Sequence, residues 1–496
     1  MRFLLLFSVG VIATCGLIYE LIAGTVASYL LGDSVTQFSM VIGVYLFAMG
    51  IGAYLSKYIH QNLISTFIWV EIAVGLLGGM SSILFFVLFN YIHSFRIALF
   101  GTIGLTGILV GLEIPLMMNI LRKDIEFKDL ISKVFSFDYA GALLASIAFP
   151  LFFVPHFGII KTSLFFGMMN IMVALVLIFM QKNKKLIGLK LVGLSSILLL
   201  VIMFVFSERI MNYAEETNYG ENVLYSQSTP YQRITITGSK QGKKLYLNGN
   251  LQFNSADEYR YHEALIHPSF CLFPQAKEVL ILGGGDGCAT REVLKYKAVN
   301  QITLVDLDPA MTKLFTQNSF LKEINQNSFL NHKVKIYNTD AFIWLKKNLK
   351  KFDIIIIDLP DPSNYSLGKL YSNVFYAEVK KHMHESSVCV VQSTSPYVAP
   401  NSYWCIVNTI RSIGMQVLPY HNYVPSFGDW GYILFSKQTS LEADYTQLPK
   451  TKFFDSTTFV TMMQFSKDIA YRETDINQLN NQALVNYFEH EWNKVQ

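Results

Sequence analysis

Residues 277–296 read KEVLILGGGDGCATREVLKY. An apolar run, a glycine-rich turn and a helical start are the signature of a buried strand feeding a helix. Three similar units follow: QITLVDLDP at 301–309, VKIYNTDAFIWL at 334–345 and FDIIIIDLPDP at 352–362. Each is a strand that ends in acids or just before one. Strands alternating with helices predict a parallel, doubly wound sheet. Upstream, residues 222–253 alternate polar and apolar positions around the turn GSKQGKK and predict a small antiparallel unit, followed by a helix over 256–268.

Ligands on such a sheet bind beyond the carboxyl ends of the strands. Asp286, Asp306, Asp340, Asp358 and Asp361 all fall there. The glycine turn is not a full dinucleotide fingerprint, because the sixth position counted from Gly283 is Cys288. Asp306 lies where an acid holds ribose hydroxyls in enzymes of NAD and of adenosylmethionine alike. Strand-end acids also serve as helix N-caps, a reading that suits Asp308 better than Asp306. Asp286 stands inside the turn, where a carboxylate repels phosphate and attracts a cation. An adenosyl sulfonium therefore fits better than a dinucleotide. Asp358 and Asp361, on either side of Pro360, add negative charge suited to a polycation.

The first two hundred residues differ in kind. Apolar residues make up 52% of the chain and charged residues 15%, and the apolar excess lies before residue 207. Seven segments, roughly 3–24, 36–57, 65–91, 97–121, 138–158, 162–181 and 188–206, are long enough to cross a bilayer, which takes about 20 residues. The run from Gly101 to Gly111 suits close helix packing in lipid. Glu20, Glu71, Glu113 and Asp138 lie in or beside these segments; they either tie the bundle together or line a path for cations. Basic residues cluster at Arg122, Lys123, Lys128 and Lys133, and at Lys182, Lys184, Lys185 and Lys190. The positive-inside rule places both loops in the cytoplasm, which with seven spans would put the C-terminal half outside. A nucleoside co-substrate argues for a cytoplasmic catalytic half, so the two expectations conflict. A net charge of +4, with no basic stretch interleaved with aromatics, argues against nucleic acid. The five cysteines show no metal-ligand spacing and no disulfide framework.

From about Tyr231 to Ser436 the chain resembles the spermidine synthase family, the polyamine aminopropyltransferases. The resemblance rests on STPYQRI, LYLNGNLQF, DEYRYHEALIHP, the turn with REVLKY, VDLDP, NTDAF, IIIIDLPDP, LYSNVFY and VPSFGDWGYILFS. Residues 15–52 also look like the membrane half of multi-spanning members. The resemblance implies a helical transmembrane bundle (1–208), a small β domain (209–255), a Rossmann-like, methyltransferase-type catalytic domain (256–437) and a partly helical tail (438–496). It implies transfer of an aminopropyl group from decarboxylated S-adenosylmethionine, a co-substrate and not a resident cofactor, to a diamine, putrescine by default. Gln232, His262, Gly283, Asp286, Asp306, Asp340 and Ala341 would hold the nucleoside donor. Asp306 would take the ribose, Asp340 the adenine amino group, and Asp286 with Asp358 the aminopropyl ammonium. Tyr261 and Asp361 would position the acceptor, and Asp358 would be the general base, with no metal. A homodimer through the soluble domain and a multi-pass place in the cell membrane are also implied. The chain departs from the family pattern at Asp306 (usually Glu), Asn248 (usually Asp), Cys288 (usually Gly) and Phe427 (often Tyr), which leaves the acceptor open. Two other readings compete. A methyltransferase would bring a cofactor carboxylate against Asp286. A polyamine sensor or transporter would have no need of Asp286, Asp358 and Asp361 together.

Overall fold

In the computed structural model the described residues are all but 1, 32–33, 93, 123–124, 182–185, 241, 440–441, 493 and 495–496. Lys123, Lys182, Lys184 and Lys185 of the basic loops, and Gln241 of the GSKQGKK turn, therefore lie outside the described residues. The chain divides into two compact units, Met1–Val223 and Leu224–Gln496.

The first unit is helical: α1 (Arg2–Leu31), α2 (Ser34–Leu55), α3 (Leu63–Tyr91), α4 (Phe95–Leu121), α5 (Phe127–Ala148), α6 (Val154–Met180) and α7 (Ile187–Tyr219). By length and composition, six stretches among the described residues could cross a membrane, not seven separate ones. The segments expected at 138–158 and 162–181 belong to one stretch, Phe127–Met180, that continues through a wide π turn at Phe149–Phe153 and breaks at Gly158 (φ 71°). Its first half begins well before residue 138. Lys128, Asp129 and Lys133 interrupt the apolar run there, yet the helix buries Leu130 and Val134 one turn apart and pairs Lys133 with Asp129 at 3.2 Å on the outer face. The start of α1, the start of α3 and the ends of α4 and α6 meet around Leu5, Ile64, Ile120 and Leu177.

Small residues set how closely these helices approach. A methyl group on Gly111 would lie 2.1 Å from the Met49 carbonyl oxygen, and one on Gly141 would lie 2.2 Å from that of Gly10. Gly101 and Gly104, in the same glycine-rich run, face open space. Outward positions on α2 and α7, such as Leu46, Phe47, Leu191, Leu198 and Val205, are exposed and apolar, the surface a helix presents to lipid.

The second unit opens with a four-stranded sheet in sequential order: β1 (Asn222–Ser228), β2 (Arg233–Ser239), β3 (Gly242–Leu247) and β4 (Asn250–Asn254). Next comes α8 (Glu258–Leu272), then β5 (Glu278–Gly283), α9 (Cys288–Val293), β6 (Gln301–Asp306), α10 (Pro309–Gln317), β7 (Val334–Asn338), β8 (Phe352–Asp358), β9 (Met383–Gln392), β10 (Gln416–Val424) and β11 (Gly428–Ser436). The strand order is β10-β11-β9-β8-β5-β6-β7. The five strands β5 to β9 run parallel, but β11 pairs antiparallel with both β9 and β10, so the sheet is mixed and not wholly parallel. The order reverses between β5 and β8, the crevice where open α/β sheets bind ligands. Alternate residues feed two cores: Val279, Ile281, Ile354 and Ile356 face one, and Leu280, Leu282, Ile355 and Ile357 the other.

The C-terminal stretch is part of this unit. Phe454, Phe459 and Met462 join one core and Leu484 the other. The Glu263 carboxylate accepts the backbone N–H groups of Lys452, Phe453 and Phe454 at 2.7–3.0 Å, and Glu491 accepts those of Asn401 and Ser402.

Candidate active site

At the switch point β5 ends at Gly283, and Gly283 and Gly284 both lie at positive φ (86° and 65°). Only glycine fits: a methyl on Gly283 would lie 2.0 Å from the Asp358 carbonyl oxygen, and one on Gly285 would lie 2.6 Å from the Asp306 carboxylate. The turn thus brings the ends of β5, β6 and β8 together with their acids. Asp286 accepts the N–H of Cys288 at 2.8 Å, and its backbone carbonyl accepts from Asn325 at 2.8 Å. Cys288 is buried at the first turn of α9.

Asp358 closes β8 and is partly open to the cleft. Its Oδ1 accepts the Tyr261 hydroxyl of α8 at 2.6 Å. Enclosure by protein and then the charge of Asp286 raise its carboxyl, His262 and Tyr261 oppose both, and the balance holds it at about 6. Enclosure also lifts Asp306 to about 7, against the N–H of Asp308, and Asp361 to about 7, against Gln392 and Thr394. Burial would lower His262, but its 2.7 Å contact with Glu258 and the fields of Asp286 and Asp358 hold it at about 9. Glu258 is itself gripped at 2.9 Å by both Arg291 nitrogens. A buried chain Arg291–Glu258–His262 therefore fixes a cationic imidazole beside an acidic cleft.

The sequence-derived residues come together unevenly. Gly283, Asp286, Asp306, Asp358, Tyr261 and His262 converge on the switch point. Tyr261 bonds Asp358 rather than Asp361. Asp361 instead receives the Gln392 amide at 3.4 Å, and that amide also reaches Tyr371 at 3.0 Å while its carbonyl side accepts from Trp430 at 3.3 Å. Gln232 donates to Asp308 at 3.0 Å. Asp308 also accepts Thr229 and caps α10 through Ala310, so the capping reading applies to it. Asp340 caps the helix that begins at Ala341 by accepting the Ile343 N–H at 3.0 Å, and it pairs with Lys369 at 3.1 Å; these contacts lower its carboxyl against the effect of burial. Asn248 sits at φ 51° and accepts the Arg233 N–H at 2.9 Å, the service of a turn residue. Phe427 packs its ring 5.9 Å from Tyr261 and 5.1 Å from Trp430.

Two clusters among the described residues have the residue types of a metal site: Glu258, His262 and Cys288, and Glu263, His267 and Glu292. Both already hold positive charge. Arg291 occupies Glu258, Arg291 and Lys295 occupy Glu292, and Glu263 is saturated by the tail backbone.

The comparisons decide the family. The Spermine/spermidine synthase domain matches residues 258–447. A polyamine aminopropyltransferase of Leptospira interrogans is 48% identical over 100% of both chains, and polyamine aminopropyltransferase 2 of Ralstonia nicotianae is 44% identical over 99% of this chain and 98% of that one. The chain belongs to the polyamine aminopropyltransferase family. It is a transferase of the spermidine synthase type. A crystal structure of a spermidine synthase in complex with the transition state analogue AdoDATO matches 49% of this chain and 85% of its own at 26% identity, TM-score 0.46. In this aminopropyltransferase the residues that sequence reasoning missed are Glu258, Arg291, Gln392, Tyr371 and Trp430. Glu258 stands four residues before His262, a helical spacing that could have found it, whereas Arg291, Gln392, Tyr371 and Trp430 act through partners 21 to 38 residues away.

Proposed function

We propose that this aminopropyltransferase moves the aminopropyl group of decarboxylated S-adenosylmethionine onto a diamine, putrescine by default, giving spermidine and 5'-methylthioadenosine. The observation that carries this reading is Asp358: a carboxylate near pKa 6, bonded to a buried tyrosine, at the switch point beside Asp286. The donor lies across the strand ends with its ribose on Asp306 and its adenine toward Asp340 and Ala341, which requires Lys369 to yield. Gln232 and His262 border the nucleoside, and the backbone at Gly283 admits it. Asp286 and Asp358 hold the aminopropyl ammonium, and Tyr261 with Asp361 orients the acceptor.

The acceptor nitrogen must be neutral to attack. Asp358 takes its proton, the lone pair forms the new C–N bond, and the C–S bond breaks toward sulfur. The leaving group departs as a neutral thioether and needs no acid. Positioning supplies much of the remaining rate. The helical unit is read as embedded in the cell membrane, with the catalytic half on the cytoplasmic side.

The test uses full-length protein in detergent, decarboxylated S-adenosylmethionine and a panel of diamines, with methylthioadenosine followed by mass spectrometry. Amine-dependent release, strongest with one diamine, is expected. Release that ignores the amine, or transfer of a methyl group from intact S-adenosylmethionine, would refute the assignment.

A further inference from the structure

Three helices of the first unit bring a polar cluster into its interior. Glu71 of α3 is 0% exposed and Glu113 of α4 is 1% exposed. Asn170 of α6 donates its amide to both, at 2.9 Å to Glu71 Oε2 and 3.5 Å to Glu113 Oε1. Its own carbonyl oxygen accepts the Tyr19 hydroxyl at 3.3 Å. Neither carboxylate has an ion-pair partner among the described residues. Glu71 Oε1 is buried with no hydrogen-bond partner there either. Two buried acids on one amide, with an oxygen left over, are the kind of intramembrane group that marks a functional site.

A narrow cavity lies beside the cluster. Tyr19 lines it, with Tyr45, Ser81, Thr102, Thr106 and Phe85. Tyr19 thus belongs to both features. The cavity is narrow and edged with hydroxyls.

We propose that the bundle binds one end of a linear polyamine, its primary ammonium between Glu71 and Glu113 and its methylene chain along the Tyr19–Tyr45 cavity. The choice of a polyamine rests on the reading of the soluble unit given above. An ammonium supplies three donors, enough for the unpaired Glu71 oxygen and for Glu113. A hard divalent cation fits less well, because Asn170 turns its N–H side to the carboxylates and spends its oxygen on Tyr19.

The experiment is equilibrium dialysis of radiolabelled spermidine against the full chain in detergent. Two equivalents per chain are expected. Glu71→Gln and Glu113→Gln should each remove one, weakening it at least ten-fold, while melting temperature and methylthioadenosine release stay as in the parent. Thr106→Leu, which fills the cavity without touching a carboxylate, should remove the same equivalent and keeps the test valid if a glutamate variant fails to fold. Asp361→Asn should remove only the other. A single equivalent, insensitive to the glutamate and Thr106 changes, would overturn the proposal, as would displacement by sodium or potassium at concentrations where diaminopropane has no effect. Two equivalents without methylthioadenosine release would leave this site standing and refute the catalytic reading instead.

Discussion

In the proposed reaction Asp358 must do two things that conflict: sit ionised in an enclosed acidic cleft, and accept a proton. A carboxyl near 6 does both at neutral pH, being mostly ionised and basic enough to matter. The chemical step should weaken as pH falls through about 6, visible in the pH profile of kcat. The stability consequence has the opposite sense. Asp306, Asp358 and Asp361 have folded values above the ordinary carboxylate range, so the folded chain binds more protons than the unfolded one between about pH 4 and 7. Stability of the ligand-free protein should therefore fall as pH rises through that window. Asp361→Asn should raise the melting temperature at pH 7.5 while depressing kcat/KM for the diamine about 100-fold; an unchanged or lower melting temperature would count against the charge argument. The acids were legible in the sequence because they follow strands. The grip of Arg291 on Glu258, 33 residues apart, was not, because no local pattern announces which of many helical charges will be buried.

At the scale of elements, the turn after β5 and the anchoring of the tail carry the site. Gly283→Ala places a methyl 2.0 Å from a backbone oxygen at a positive φ, and should destabilise the soluble unit by about 3 kcal/mol or abolish folding, read by thermal unfolding. Glu263→Ala strips three backbone N–H groups of their acceptor, and should cost roughly 3–5 kcal/mol in denaturant unfolding. Ending the chain at Lys437 would uncover the core around Phe454, Phe459 and Leu484 and should yield insoluble protein. The strands β5 to β8 were plain from their apolar runs and terminal acids. The antiparallel edge was not, because VPSFGDWGYILFS reads as a strand whatever its direction, and direction follows from the β10–β11 hairpin. The sequence showed the tail only as partly helical, because its core residues are spaced among polar ones.

At the scale of the molecule, the chain joins a bundle with an apolar outer face to an acidic catalytic sheet. Composition alone separated the halves. It started the fifth segment at 138 because charge at Lys128, Asp129 and Lys133 hid the true start of α5 at Phe127. The cytoplasmic placement of the catalytic half requires that a reporter fused after Gln496 be active in the cytoplasm; activity on the far side would instead uphold the reading from loop charge.

The central claim is that Asp358 removes the proton that keeps the acceptor amine from attacking. It is tested most directly by comparing kcat for the parent enzyme and Asp358→Asn from pH 7 to pH 10. Near neutrality the variant should be slower by about 100- to 10,000-fold. As the free amine loses its own proton toward pH 10, the variant should recover and the gap should close by at least ten-fold. A gap that stays constant across that range would contradict the claim and leave Asp358 with binding of the ammonium alone.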